Sequence, residues 1–172
     1  MPSMTSSIAR AAAIVACGFT LVAAAPSFGP PWISIETPAN PYDSGSRDAY
    51  LLVHAFHHGT PVNFPVSGTA EGIVKGDRRT VALEFKSTSR PGVYALRKQW
   101  SDDGVWTLVI GVTQGDGDFN TARAVIEIGG DGQVASVRVP TRMANGYRVP
   151  DVVKMADVEA GLRARGGRVA SR

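Results

Sequence analysis

The sequence predicts an all-β fold: an antiparallel β-sandwich of seven to nine short strands, with a leader segment in front and a short helix behind. Three observations carry this expectation. Short apolar runs with period-two alternation recur between residues 32 and 139, the pattern of a two-sheet sandwich. The chain contains 19 glycines and 11 prolines among 172 residues, a supply that suits many strands joined by turns. Residues 105–112 (VWTLVIGV) are apolar at odd and even positions alike, as a central strand covered on both faces must be.

Residues 1–25 read as a secretory signal peptide. A short segment ends in Arg10, an apolar stretch rich in small residues fills 11–25, and Val22-Ala23-Ala24 supplies a small-residue cleavage site. The stretch is short for a membrane span, so the mature chain is expected to carry no integral span. An alternative is a lipoprotein anchored through Cys17, because Ile14-Val15-Ala16-Cys17-Gly18 resembles a lipobox. Cys17 is the single cysteine, so the domain must stand on its core alone. Residues 26–31 form a proline-rich linker.

The sandwich is expected over residues 32–141. Trp32-Ile33-Ser34-Ile35-Glu36 alternates, with Ile33 and Ile35 inward. Residues 37–45 form a loop held extended by Pro38 and Pro41. Residues 48–57 (DAYLLVHAFH) make a second strand with an apolar centre, followed by a turn at 59–62 and a short extended piece broken by Pro65. Residues 69–74 and 80–85 flank Lys75-Gly76-Asp77-Arg78 as a hairpin, with Val81, Leu83 and Phe85 on one face. Residues 92–112 read as a central hairpin: Tyr94, Leu96 and Trp100 share a face of its first strand, and Ser101-Asp102-Asp103-Gly104 supplies the turn. A polar loop at 114–120 leads to a last hairpin, 122–128 with 134–139, around Gly129-Gly130-Asp131-Gly132. Residues 142–172 are a C-terminal extension. Asp151 is placed to cap a short helix over 152–164, with Met155, Val158 and Leu162 on one stripe and a frayed basic end beyond.

Net charge is +3, unevenly placed. Residues 30–141 carry ten basic and twelve acidic side chains, whereas 142–172 carry seven and three. The basic pI therefore belongs partly to the extension. With no basic stripe interleaved with aromatics, nucleic acid is not an expected partner.

Three patterns stand in order: Gly59-Thr60-Pro61-Val62, then Gly92-Val93-Tyr94, then Gly104-Val105-Trp106-Thr107-Leu108. Over about residues 48–113 this resembles the bacterial extracytoplasmic YtkA-like and FixH-like domains. The resemblance implies an immunoglobulin-like antiparallel β-sandwich. Such patterns record turns and core positions, so they mark an architecture and leave the activity open.

Candidate chemistry is sparse. All three histidines, His54, His57 and His58, lie within five residues, and neutral imidazole is a common transition-metal ligand. In a regular strand His54 and His58 stand about 13 Å apart and His57 faces the other way; only a strand end or a bulge near His57-His58-Gly59 brings two together. Asp116, Asp118 and Asn120 copy the first positions of a calcium loop, with Glu127 at the twelfth, but Thr121 stands where the sharp turn needs glycine. Trp100, beside a turn, is the candidate exposed aromatic. No Gly-x-Ser-x-Gly elbow, His-Glu-x-x-His or phosphate loop occurs. The expected function is therefore that of an exported, periplasmic or secreted, non-catalytic binding domain without a cofactor, whose partner is a protein or cell-envelope component. The alternative is a periplasmic accessory domain binding copper or zinc through His54, His57 and His58.

Overall fold

The computed structural model describes residues 29–116 and 120–170, with side chains described to residue 167. The expected signal peptide, Cys17 and Asp118 lie outside the described residues. The strands in chain order are β1 (Trp32–Glu36), β2 (Leu51–His57), β3 (Thr60–Pro61), β4 (Val66–Val74), β5 (Asp77–Ala82), β6 (Phe85–Ser87), β7 (Val93–Leu96), β8 (Val105–Thr113), β9 (Thr121–Ile128), β10 (Val134–Arg138), β11 (Thr141–Ala144) and β12 (Tyr147–Pro150), followed by helix α1 (Met155–Ala170). The count exceeds the expected seven to nine because β3 and β6 are very short and β11 and β12 lie in the extension.

The first sheet has the order β1-β2-β7-β6, with β3 folded back on β2. The second has the order β10-β9-β8-β4-β5. Within each sheet the pairings are antiparallel. This is the strand order of an immunoglobulin-like sandwich, A-B-E-D facing G-F-C with one added strand at each edge of the second sheet. β11 and β12 form a separate ribbon around Asn145-Gly146, both at positive φ.

Alternation decides what enters the core. Leu51, Val53 and Ala55 of β2 meet Trp106, Leu108, Ile110 and Val112 of β8 and Ala122, Ala124 and Ile126 of β9 in one buried cluster. Full burial of each large side chain contributes about 1.5–3 kcal/mol. Small residues on β4 make room for large ones opposite. Gly72 pairs directly with Trp106, and a Cβ on Gly72 would stand 2.5 Å from the indole. The indole Nε1 donates to Asp103 O at 2.8 Å, so the buried ring keeps its polar atom satisfied.

The expected central hairpin over 92–112 is corrected. β7 pairs with β2 and β6, whereas β8 pairs with β4 and β9. The intervening residues cross from one sheet to the other. Gln99 anchors the crossing by bonding both backbone groups of Glu84, accepting from N at 2.9 Å and donating to O at 2.8 Å. Trp100 is 6% exposed and packs edge-on against Tyr50 at 5.0 Å. The expectation of an exposed Trp100 is thereby also corrected: the crossing turns it inward to plug the core.

The extension is docked on the second sheet. Val158 and Leu162 of α1 bury against Val105, with Ile73, Val109 and Val153 around them. The helix starts later and runs further than expected. Asp151 Oδ1 accepts from Val152 N at 2.8 Å, ahead of the first helical turn, so it is not the cap. Met155 is 44% exposed and leaves the predicted stripe. The basic end is part of the helix: Arg165 donates to Trp106 O and Ile128 O, each at 3.1 Å, and to Thr107 Oγ1. Among the described residues no helix is long and apolar enough to cross a membrane.

Gly92 opens β7 at φ 69°, and a Cβ there would stand 2.8 Å from both Ala55 O and Val62 N. Gly92→Ala should therefore cost about 2 kcal/mol or more in urea denaturation. Gly130→Ala, at an open position outside the left-handed region, should change stability by less than about 0.5 kcal/mol. Equal effects would contradict the account of the β7 entry.

Candidate functional site

β2 directs its histidines apart. Leu52, His54 and Phe56 alternate with the core residues and face the outer side of the first sheet. There His54 Nε2 lies 2.9 Å from Glu36 Oε2, and the His54 ring stacks on Phe56 at 6.1 Å. Glu36 is shared: Arg90 Nη2 stands 3.5 Å from the same oxygen and 3.7 Å from Asp43 Oδ2. The Ser46 hydroxyl and the Gly45 N–H, the latter at 2.9 Å, hold the Asp43 carboxyl below its usual range, and Arg90 adds to this. His54 is thus one end of a polar chain that ties residues 37–50 over the first sheet.

His57 takes the opposite face, with its ring against Phe64 at 5.9 Å and Nε2 3.1 Å from Gly29 O. His58 is already a turn residue at φ 50°. The rings of His57 and His58 meet edge-on, 4.3 Å between centroids. Two of the three predicted ligands therefore come together and His54 does not join them. Among the described residues no group of three or more His, Cys, Asp or Glu side chains is placed to hold a metal ion.

Of the predicted loop ligands, Asn120 Nδ2 donates to Asp116 O at 3.2 Å, and Gln114 N donates to Asn120 O at 2.8 Å. Those bonds close the loop on its own backbone. Glu127, the twelfth position, sits near the far end of β9 and pairs with Thr107. Seven residues of strand separate it from Asn120, roughly 24 Å. The segment after the loop is a strand, as its alternation predicts, and it carries the twelfth residue away from Asp116 and Asn120.

A groove that sequence reasoning missed lies on the first sheet's side. It is lined by residues 44–49, 84–86, Ala95 and 97–99 and has a volume of about 600 Å³. The 37–50 segment stands as a wall because consecutive turns stiffen it: Asp43 N to Asn40 O, Ser46 N to Asp43 O and Ala49 N to Ser46 O. Four cations and two carboxylates line the groove. Arg97 pairs with Asp48 at 2.9 Å and Lys98 with Asp102, whereas Arg47 and Lys86 form no ion pair among the described residues. The groove therefore presents a surplus of positive charge in a concave wall, which strengthens attraction for an anionic group. Nothing in the local sequence announces this, because Arg47 and Lys86 belong to segments that meet only in the fold.

A second polar cluster sits beneath α1. Glu71 is 5% exposed on the outer face of β4. It accepts from Thr69 Oγ1 at 2.5 Å, Thr80 Oγ1 at 2.8 Å and Arg78 Nη2 at 2.6 Å, and Arg78 also pairs with Glu159 of α1. Burial pushes the Glu71 carboxyl up, but the three donors outweigh it and hold the group below its usual range. Every polar atom here is engaged with the helix or the sheet, so the cluster works as a clasp for α1.

Comparison of the chain with protein-family models, curated proteins and solved structures returns no match.

The lowered Glu71 carboxyl has a signed consequence. Its contribution to stability is present at neutral pH and is lost as pH falls through and below the ordinary carboxylate range. Glu71→Gln should lower stability by about 1–3 kcal/mol at neutral pH, and the gap to the natural chain should close in acid. Melting temperature against pH measures this, and a gap independent of pH would contradict it.

Proposed function

We propose that the chain is an exported, non-catalytic immunoglobulin-like binding domain of the bacterial cell envelope. Its ligand is an anionic protein segment or envelope component. The observation that carries this reading is the cationic groove of about 600 Å³ walled by 44–49, 84–86 and 97–99. The other broad outer face, that of the second sheet, is occupied by α1. Export rests on the leader pattern at 1–25. Kinship with the YtkA-like and FixH-like domains rests on the three glycine patterns. Each has an architectural task that suits a shared fold: Gly59 and Gly92 take positive φ, as does Gly104, and Tyr94 Oη donates to Phe64 O at 2.7 Å.

A second reading, a periplasmic accessory domain for copper or zinc, draws on one observation: the rings of His57 and His58 meet at the end of β2.

The groove reading is tested by co-sedimentation of the purified chain with an isolated cell-envelope fraction at low and high salt. Binding should weaken with salt, as exposed charge contacts do. The double change Arg47→Glu with Lys86→Glu should weaken it at least about tenfold, or about 1.4 kcal/mol, with an unchanged melting temperature. Equal binding by the double variant would remove the groove as the site.

A further inference from the structure

We propose that His57, His58 and the Gly29 carbonyl form a transition-metal site at the turn between β2 and β3, for a divalent cation of the copper–zinc class. The inference rests on the second reading above and narrows it: His54, held by Glu36, takes no part.

The turn makes the site. β2 ends at His57, which pairs with Thr60 of β3, leaving His58 and Gly59 as a two-residue turn with φ of 50° and 77°. Both central residues at positive φ are the mark of a type I′ hairpin. In a continuing strand His58 would face away from His57. The left-handed turn conformation removes it from that alternation, and its ring comes edge-on to the His57 ring at 4.3 Å. Positive φ alone would mean little, since Lys75 holds the same place in the β4–β5 turn at φ 54°. What distinguishes His58 is where its ring goes.

Both Nε2 atoms approach one piece of backbone. His57 Nε2 lies 3.1 Å from Gly29 O. A methyl group on Gly29 would stand 3.3 Å from His58 Nε2 and 3.9 Å from His57 Nε2. Glycine leaves that space free. The donor set is two imidazole nitrogens and one carbonyl oxygen, a set suited to copper and zinc. With bonds of about 2.0–2.2 Å, a nitrogen–oxygen separation of 3.1 Å corresponds to neighbouring ligands at roughly a right angle. The His57–Gly29 hydrogen bond would give way to the cation. Coordination through Nε2 leaves Nδ1 as the ring nitrogen that carries hydrogen, and the remaining coordination positions would be filled by water. The bound ion would clip the segment before β1 to the end of β2.

Melting of the untagged full chain is followed while CuCl₂ or ZnCl₂ is added alone. At least one cation should raise the melting temperature in a concentration-dependent way, through preferential binding to the folded state. His57→Gln and His58→Asn should abolish the rise, and His54→Gln should keep it. Asparagine is a favoured residue at this turn position, so His58→Asn should melt no lower than the natural chain when metal is absent. A rise that survives in His58→Asn, or disappears in His54→Gln, would overturn the site while leaving a metal-binding domain standing. No rise with either cation would overturn both.

Discussion

β8 has no face in water, and the rest of the molecule follows from that. Trp106, Leu108, Ile110 and Val112 point into the sandwich, while Val105, Thr107 and Val109 lie beneath or beside α1. A strand apolar on both sides needs a cover on both sides. The first sheet supplies one cover and the C-terminal extension the other. Once α1 occupies the outside of the second sheet, the broad surface that remains for recognition belongs to the first sheet. There the 37–50 segment rises to wall the groove.

The second cover is fastened by polar contacts as well as apolar ones. A buried carboxylate such as Glu71 would cost several kcal/mol if left alone, so it comes with Thr69, Thr80 and Arg78 as donors. Arg78 then reaches Glu159 on α1. At the far end of the helix Arg165 bonds the backbone carbonyls of Trp106 and Ile128. The long arginine stem lets a charged residue serve this purpose while part of it remains near water. These contacts fix the helix to β4, β5, β8 and β9, and they do so without a disulfide in the domain.

Much of the fold was legible because side-chain alternation follows directly from strand geometry. The two-sided apolar character of residues 105–112 identified β8, and Lys75-Gly76 sits in the β4–β5 turn as its sequence suggested. What alternation does not carry is the choice of partner. A hairpin and a crossing between sheets both need a turn at 101–104, and only the pairing of β7 with β2 separates them. The β11–β12 ribbon carries Asn145-Gly146, a strong hairpin dipeptide, but its flanks lack the clean alternation that marks the other strands. The docking of Arg165 leaves no local signal in the sequence, because its acceptors are backbone carbonyls distant along the chain. The candidate sites divide the same way. The His57–His58 meeting at a strand end was visible in the sequence, whereas the groove joins Arg47 to Lys86 across the fold and left no local signal.

Recognition through the groove is tested most directly by mapping where a ligand touches. Amide resonances of the isotope-labelled chain would be followed while solubilised cell-envelope components are added. Shifts should concentrate at residues 44–49, 84–86 and 97–99, with α1 and the outer face of the second sheet unmoved. Shifts confined to α1 or to the β11–β12 ribbon, or binding that leaves the groove residues unmoved, would contradict it.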